Sequence, residues 1–207
     1  PGSGQRIREE LGISPSAPIV LYTGTFEAYQ GLDLLFAAAA HVARSRADVR
    51  VVLAGGRPEQ IEKARAQART AGAAATVIFA GQRPAEEIPQ FLDAADVLVS
   101  PRSSGTNTPL KIYQYLRSAR PIVATRLLTH TQVLDDEVAY LAEATPVGFG
   151  NAILDVLSDP ERGRLVGQRA RYLADTKYSY EVYLNRTRQA CALLTGETTR
   201  EVVGGVA

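Results

Sequence analysis

The feature that most constrains this chain is its alternation. Short apolar, β-branched runs recur along it, most of them closed by glycine or a small residue, and most are followed by a longer stretch of helical spacing. The runs are "PIVLYTG" (18–24), "VRVVLAGG" (49–56), "ATVIFAG" (75–81), "VLVSP" (97–101), "PIVAT" (121–125) and "VAYLA" (138–142). A run that is apolar at almost every position suits a strand covered on both faces, as in a parallel sheet. Between the runs lie "GLDLLFAAAAHVARSR" (31–46), the charged "PEQIEKARAQARTAG" (58–72), "PAEEIPQFLDAAD" (84–96) and "PLKIYQYLRSA" (109–119). Strands alternating with helices make βαβ units. The expected fold class is therefore α/β, a doubly wound parallel sheet of order 3-2-1-4-5-6.

Residues 1–16 read as a linker with a short helix, residues 17–194 as one domain ending in helices, and residues 195–207 as a flexible tail. A chain of 207 residues can bury one sizeable core. The net charge of +1 gives no reason to expect a nucleic-acid partner or a membrane-surface binder. A single cysteine, Cys191, leaves no internal disulfide framework and fits a reducing, cytoplasmic setting. No Asp-x-Asp or His/Cys cluster suggests a metal. No methionine occurs, and the chain opens on the Gly/Ser-rich "PGSG". Both features suggest a domain cut from a longer protein, with part of any active site lying outside it. The last helix, "SYEVYLNRTRQACALL" (179–194), is then expected to leave an apolar face uncovered.

In a doubly wound sheet the ligand lies beyond the carboxyl ends of the strands where their order reverses, here between strands 1 and 4. The loops that follow those strands, "TGTFEAYQG" (23–31) and "PRSSGTNTP" (101–109), are rich in glycine and small polar residues. Neither GxGxxG nor GxxxxGK[ST] is present, so ordinary dinucleotide and P-loop readings fail. The second loop runs directly into a helix, and amides near Thr108 and Leu110 would favour an anion. Lys111 stands in the first helical turn, where the helix dipole disfavours a cation unless an anion is bound nearby. Each residue also has a plainer reading. Gly24 and Gly31 could end a strand and open a helix, Gly105 with Asn107 could form a turn, and Lys111 and Gln114 could face water. His130 could reach a ligand or simply serve a turn.

"FAGQRPAEEIPQFLDAADVLVSP" followed by "NTPLKIYQYLRSARPIVAT" resembles the C-terminal, nucleotide-sugar-binding domain of GT-B glycosyltransferases of retaining family 4. The resemblance runs from about Ile19 to Leu194. It implies a Rossmann-like domain that grips the donor of a sugar transfer with retention of configuration, with the nucleotide-sugar as substrate and no cofactor or metal. It further implies an N-terminal acceptor-binding domain, absent here, through which any peripheral membrane association would come. The donor-binding positions it implies are Gly24, Thr25, Gln30, Gly31, Arg83, Gly105, Asn107, Thr108, Leu110, Lys111 and Gln114, with Lys111 and Thr106 as the catalytic pair.

The departures from the family pattern are specific. Its basic residues after strand 1 are replaced by Thr25 and Gln30, and its two spaced glutamates by Thr106 and Gln114. One reading is a divergent transferase that holds diphosphate with Lys111, backbone amides and Thr25, helped by Arg102 or Arg126. Another is a catalytically silent nucleotide-sugar-binding or regulatory module. A GT-B-like epimerase would need acid–base carboxylates, and loops 1 and 4 carry no such pair. The transferase reading is preferred because loop 1 keeps both glycines and adds hydrogen-bonding groups.

Overall fold

The computed structural model describes residues 3–195. Most of the expected tail, from residue 196 onward, lies outside the described residues. Six strands form one parallel sheet: β1 (Ile19–Thr23), β2 (Arg50–Ala54), β3 (Val77–Gly81), β4 (Val97–Ser100), β5 (Ile122–Thr125) and β6 (Tyr140–Ala142). Their order is β3-β2-β1-β4-β5-β6, as the alternation led one to expect.

Strand periodicity divides the core into two halves. Val20 and Tyr22 of β1, Val51 and Leu53 of β2, and Val97 and Val99 of β4 face one layer, built from α2 (Leu32–Ser45), α3 (Pro58–Thr70) and α7 (Pro146–Ser158). Ile19 and Leu21, Val52, Leu98, and Ile122 and Ala124 of β5 face the other. That second layer holds α1 (Ser3–Glu10), α4 (Ile88–Ala94), α5 (Lys111–Arg117) and α8 (Pro160–Lys177).

Residues 4–16 are packed more firmly than a linker would be. In α1, Ile7 is buried, and Gly4 lies so close to α4 that a Cβ there would stand 2.7 Å from the Ala94 nitrogen. Arg8 donates to the Ala17 and Ala94 carbonyls and pairs with Asp96. Helix α4 starts later than the spacing suggested, because residues 84–87 form a turn closed by Glu87 N–H on the Pro84 carbonyl. A short helix, α6 (Leu128–Thr131), follows β5 and carries His130.

Helix α5 matters most for the site. Ala119 ends it with φ 59°, and Gly167 of α8 sits against that turn, where a Cβ would meet the Ala119 carbonyl oxygen at 2.1 Å. On its other side α5 is anchored to β1. The buried Tyr115 hydroxyl accepts from Thr23 N–H at 2.9 Å and shares a second bond with the Thr23 hydroxyl at 3.1 Å. Burial pushes the Tyr115 phenol up to about 12, so it stays a neutral strut. The last helix, α9 (Tyr180–Thr195), leaves Tyr180, Tyr183, Leu193 and Leu194 exposed, in line with the uncovered face expected of it.

Candidate functional site

Beyond the carboxyl ends of β1, β2 and β3 lies a cleft of about 680 Å³, closed on one side by α5. Loop 1 lines it with Gly24 and Thr25, loop 3 with Gln82, Arg83 and Pro84, and α5 and the residue before it with Leu110, Lys111 and Gln114. The loop after β2 also contributes, through Gly55, Gly56 and Arg57. This fourth wall is not among the two loops expected from the sequence to meet a ligand, although "GG" directly after a strand is a usable signal. Gly55 has φ 134°, and a Cβ there would fall 2.0 Å from the Gly24 carbonyl oxygen. Gly24 N–H donates to the Ala54 carbonyl, so loops 1 and 2 meet backbone to backbone. Only glycine permits that approach.

Loops 1 and 4 also touch. Gly31 has φ 71° and leaves no room for a side chain, since its Cβ would lie 2.0 Å from the Pro101 carbonyl oxygen. Ser103 N–H donates to the Tyr29 carbonyl. The contact between loops is therefore where the strand order put it, but the open space is on the other side, toward β2 and β3.

The lining residues include three cations, Arg57, Arg83 and Lys111, and no carboxylate. The three are not equivalent. Arg83 is neutralised: its guanidinium pairs with Glu10 at 2.6 Å and Glu87 at 3.4 Å and donates to the Ala80 carbonyl, so mainly its aliphatic arm is left for the cleft. Arg57 pairs with Glu59 at 2.6 Å on the exposed rim and lies 4.0 Å from Glu27. Exposed pairs of this kind are weak and easily exchanged.

Lys111 is different. Tyr115 lies one turn along on the same face, so the anchor that fixes α5 also turns Lys111 inward. Its Nζ is buried with no hydrogen-bond partner, 3.7 Å from the centre of the Tyr22 ring, although the residue as a whole is only half-buried. A Cβ on Gly24 would stand 3.1 Å from it. The solvated-surface reading of Lys111 is thus excluded. Burial, and secondarily the charge of Arg102, hold the amine well below the ordinary lysine range.

Arg102 is the second cation at this spot. It is 7% exposed, its Nη1 donates to the Asn107 carbonyl at 2.7 Å and to Thr129 at 3.0 Å, and its Nε has no partner. Loop 4 folds around it. Gly105, at φ 117°, lies where a Cβ would come within 3.2 Å of the guanidinium carbon. This explains why Gly105, Thr106, Asn107 and Thr108 do not line the cleft. The Asn107 carbonyl serves Arg102 and Thr129, the Thr106 carbonyl receives the Gln132 amide, and the Thr106 side chain stands on the exposed loop.

Three further expectations are corrected. Gln30 is buried behind loop 1, its amide 3.4 Å from the Thr25 hydroxyl, so it backs the wall rather than forming it. Arg126 points at Asp136, with contacts of 2.6 and 3.1 Å, away from the cleft. His130 is fully buried and reaches no open space. Its Nδ1 lies 2.8 Å from the Thr125 carbonyl and must donate there, so Nε2 accepts from the Ser100 hydroxyl at 2.8 Å. Burial holds it neutral, with its pKa lowered to about 4. Among the described residues no cluster of His, Cys, Asp and Glu could hold a metal ion, and no helix is long and apolar enough to cross a membrane.

A family model described as Glycosyl transferases group 1 matches residues 17–159. The D-inositol 3-phosphate glycosyltransferase of Acidothermus cellulolyticus is 32% identical over 177 residues, covering 80% of this chain and 39% of that one. A GDP-mannose-dependent alpha-(1-6)-phosphatidylinositol monomannoside mannosyltransferase of Mycolicibacterium smegmatis is 29% identical over 206 residues, covering 95% of this chain and 52% of that one. Among solved structures, Anabaena Alr3699/HepE in complex with UDP has the same fold, with a TM-score of 0.80 at 18% identity over 93% of this chain and 52% of that one. The chain spans about two fifths to half the length of these curated relatives. The family match runs from β1 through α7 and contains every wall of the cleft, and the chain belongs to the glycosyl transferases group 1 family.

Proposed function

We propose that this chain is the donor-binding half of a glycosyltransferase, and that the cleft holds the nucleoside diphosphate of a nucleotide-sugar. The observation that carries the reading is the buried, unpartnered Lys111 Nζ beside Arg102, in a cleft whose lining residues include no carboxylate. A buried amine with no acceptor is costly in either protonation state, and an anionic ligand removes the cost. Two of the similar proteins are named for the matching chemistry, one as GDP-mannose-dependent and one as a complex with UDP.

In this reading the diphosphate lies against Gly24, Thr25 and Lys111, the ribose near Gln114, and the base toward Pro84 and Ile88. Lys111 meets the charge that develops on the departing phosphate, as a preorganised electrostatic group does. The acceptor hydroxyl comes from a domain outside this chain, and the family resemblance supports transfer with retention. Thr106 stands outside the cleft and receives no role here. The lack of lining carboxylates argues against epimerase chemistry. It also favours, as a second reading, a silent donor-binding module.

Calorimetric titration of Lys111→Met and the unaltered chain with uridine, UDP, guanosine and GDP tests the site. A charge-assisted bond is worth about 1.5–3 kcal/mol, or roughly ten- to a hundredfold in affinity. Only the diphosphates should lose it. Equal weakening for nucleosides, or none for either, would refute the assignment. Incubated alone with UDP-glucose or GDP-mannose, the chain should transfer nothing, and robust transfer would overturn the half-site reading. Silent and active readings separate when the chain is joined to its acceptor domain.

A further inference from the structure

We propose that Lys111 is a neutral amine in the empty cleft and takes up a proton when a diphosphate arrives, so that binding and protonation are one event. The inference rests on the donor-site reading for its ligand, but its first half stands on the surroundings of Nζ alone. From β1, Tyr22 presents the face of its ring, and its phenol is held neutral by burial. From loop 4, Arg102 presents a permanent positive charge. From α6, His130 acts on the same region, but its ring is neutral, with Nδ1–H committed to the Thr125 carbonyl. From loop 1, Gly24 brings only backbone. On α5 itself, Tyr115 is occupied by Thr23. Nζ therefore faces a ring, a cation and uncharged groups, and it has no acceptor. An ammonium has three protons to donate; the face of the Tyr22 ring can meet one of them, and no oxygen or nitrogen receives the others. A neutral amine avoids both the desolvation of a charge and the repulsion from Arg102.

A diphosphate reverses each term. Its oxygens supply acceptors and its negative charge offsets Arg102, so the protonated form becomes the stable one. By linkage, the ligand then binds more weakly as pH rises through the range in which the empty site is neutral and the filled site charged. The gain is discrimination: a ligand without phosphate cannot recruit the charge.

The experiment needs no variant, because the chain contains three lysines, and two of them, Lys63 and Lys177, are exposed references. Nitrogen-15 spectra of the lysine amines should show Lys111 neutral at a pH where Lys63 and Lys177 are charged. UDP or GDP should convert it to the ammonium, and uridine or guanosine should not. Calorimetry in buffers of different ionisation enthalpy should read about one proton taken up per diphosphate. Affinity should fall as pH rises through the range in which the empty-site amine is neutral, above the second phosphate pKa of about 6, so that the phosphate itself is already ionised. If Lys111 titrates with the two exposed lysines, the proposal is overturned whatever binds. A neutral Lys111 with diphosphate binding and no proton uptake overturns the coupling. A neutral Lys111 with no diphosphate binding supports the neutral amine but refutes the donor-site reading and the coupling together.

Discussion

Acid should destabilise this domain through His130. The ring is fully buried behind the cleft and bonded at both nitrogens. Its pKa is lowered to about 4 in the fold, against an ordinary value of 6.5. Below the unfolded pKa the unfolded chain binds a proton that the folded chain refuses. Stability therefore falls as pH drops from 6.5 toward 4, and it is fully present above that window. At about 1.4 kcal/mol per tenfold change in proton affinity, the loss is ~3 kcal/mol. That is a large share of the 5–15 kcal/mol typical of a domain. The matched perturbation is His130→Asn, whose amide can keep the bond to the Thr125 carbonyl while losing Ser100 and the titration. Urea unfolding at steps from pH 7 to 4.5 gives both stabilities. The variant should start about 1–3 kcal/mol lower, the cost of stranding a buried hydroxyl, and the two curves should converge as pH falls. Carboxylates common to both proteins cancel in the difference. Parallel curves across the window would mean that His130 is not a buried neutral ring, and the account of loop 4 would fall with it.

Gly31→Ala places a Cβ 2.0 Å from the Pro101 carbonyl oxygen at φ 71°. It should cost more than ~2 kcal/mol in thermal or urea unfolding, because strain and overpacking add. Lys111→Met should raise stability at neutral pH, since it removes an unpartnered buried amine and keeps its volume, while weakening diphosphate binding roughly ten- to a hundredfold and leaving nucleoside binding unchanged. Denaturation and titration of the same sample check both. Arg126→Ala removes an exposed pair with Asp136 and an exposed hydrogen bond to the Leu141 carbonyl, so stability should move by about 1 kcal/mol or less and ligand binding should not change.

The sheet was legible because burial on both faces imposes an apolar run that solvent-exposed segments do not share, and the turn after each strand is punctuated by small residues. The strand order is the one usual for a doubly wound sheet, which the alternation pointed to. The cleft was legible only in part. Gly24, Thr25, Arg83, Leu110, Lys111 and Gln114 were named and do line it. The second loop was missed because the switch-point rule names one crevice, whereas Gly55 lets loop 2 close upon loop 1 and opens the space to that side. Loop 4 was misread for a different reason. Its glycine and asparagine look like ligand-binding backbone, but they are spent on Arg102, a residue whose burial no local pattern announces. Whether Lys111 faced water or the interior depended on the Tyr115 anchor to Thr23, a contact between residues 92 apart in sequence.

The unpartnered Lys111 amine also bears on how such a chain would drift over generations. A protein under selection only to fold gains by any substitution that removes a buried, unsatisfied polar group, and such substitutions are easily reached. A methionine or leucine at position 111 would be such a gain. In lineages that had become silent modules, position 111 should therefore drift to apolar residues, while lineages that still bind phosphate should retain a lysine there against the pull of stability.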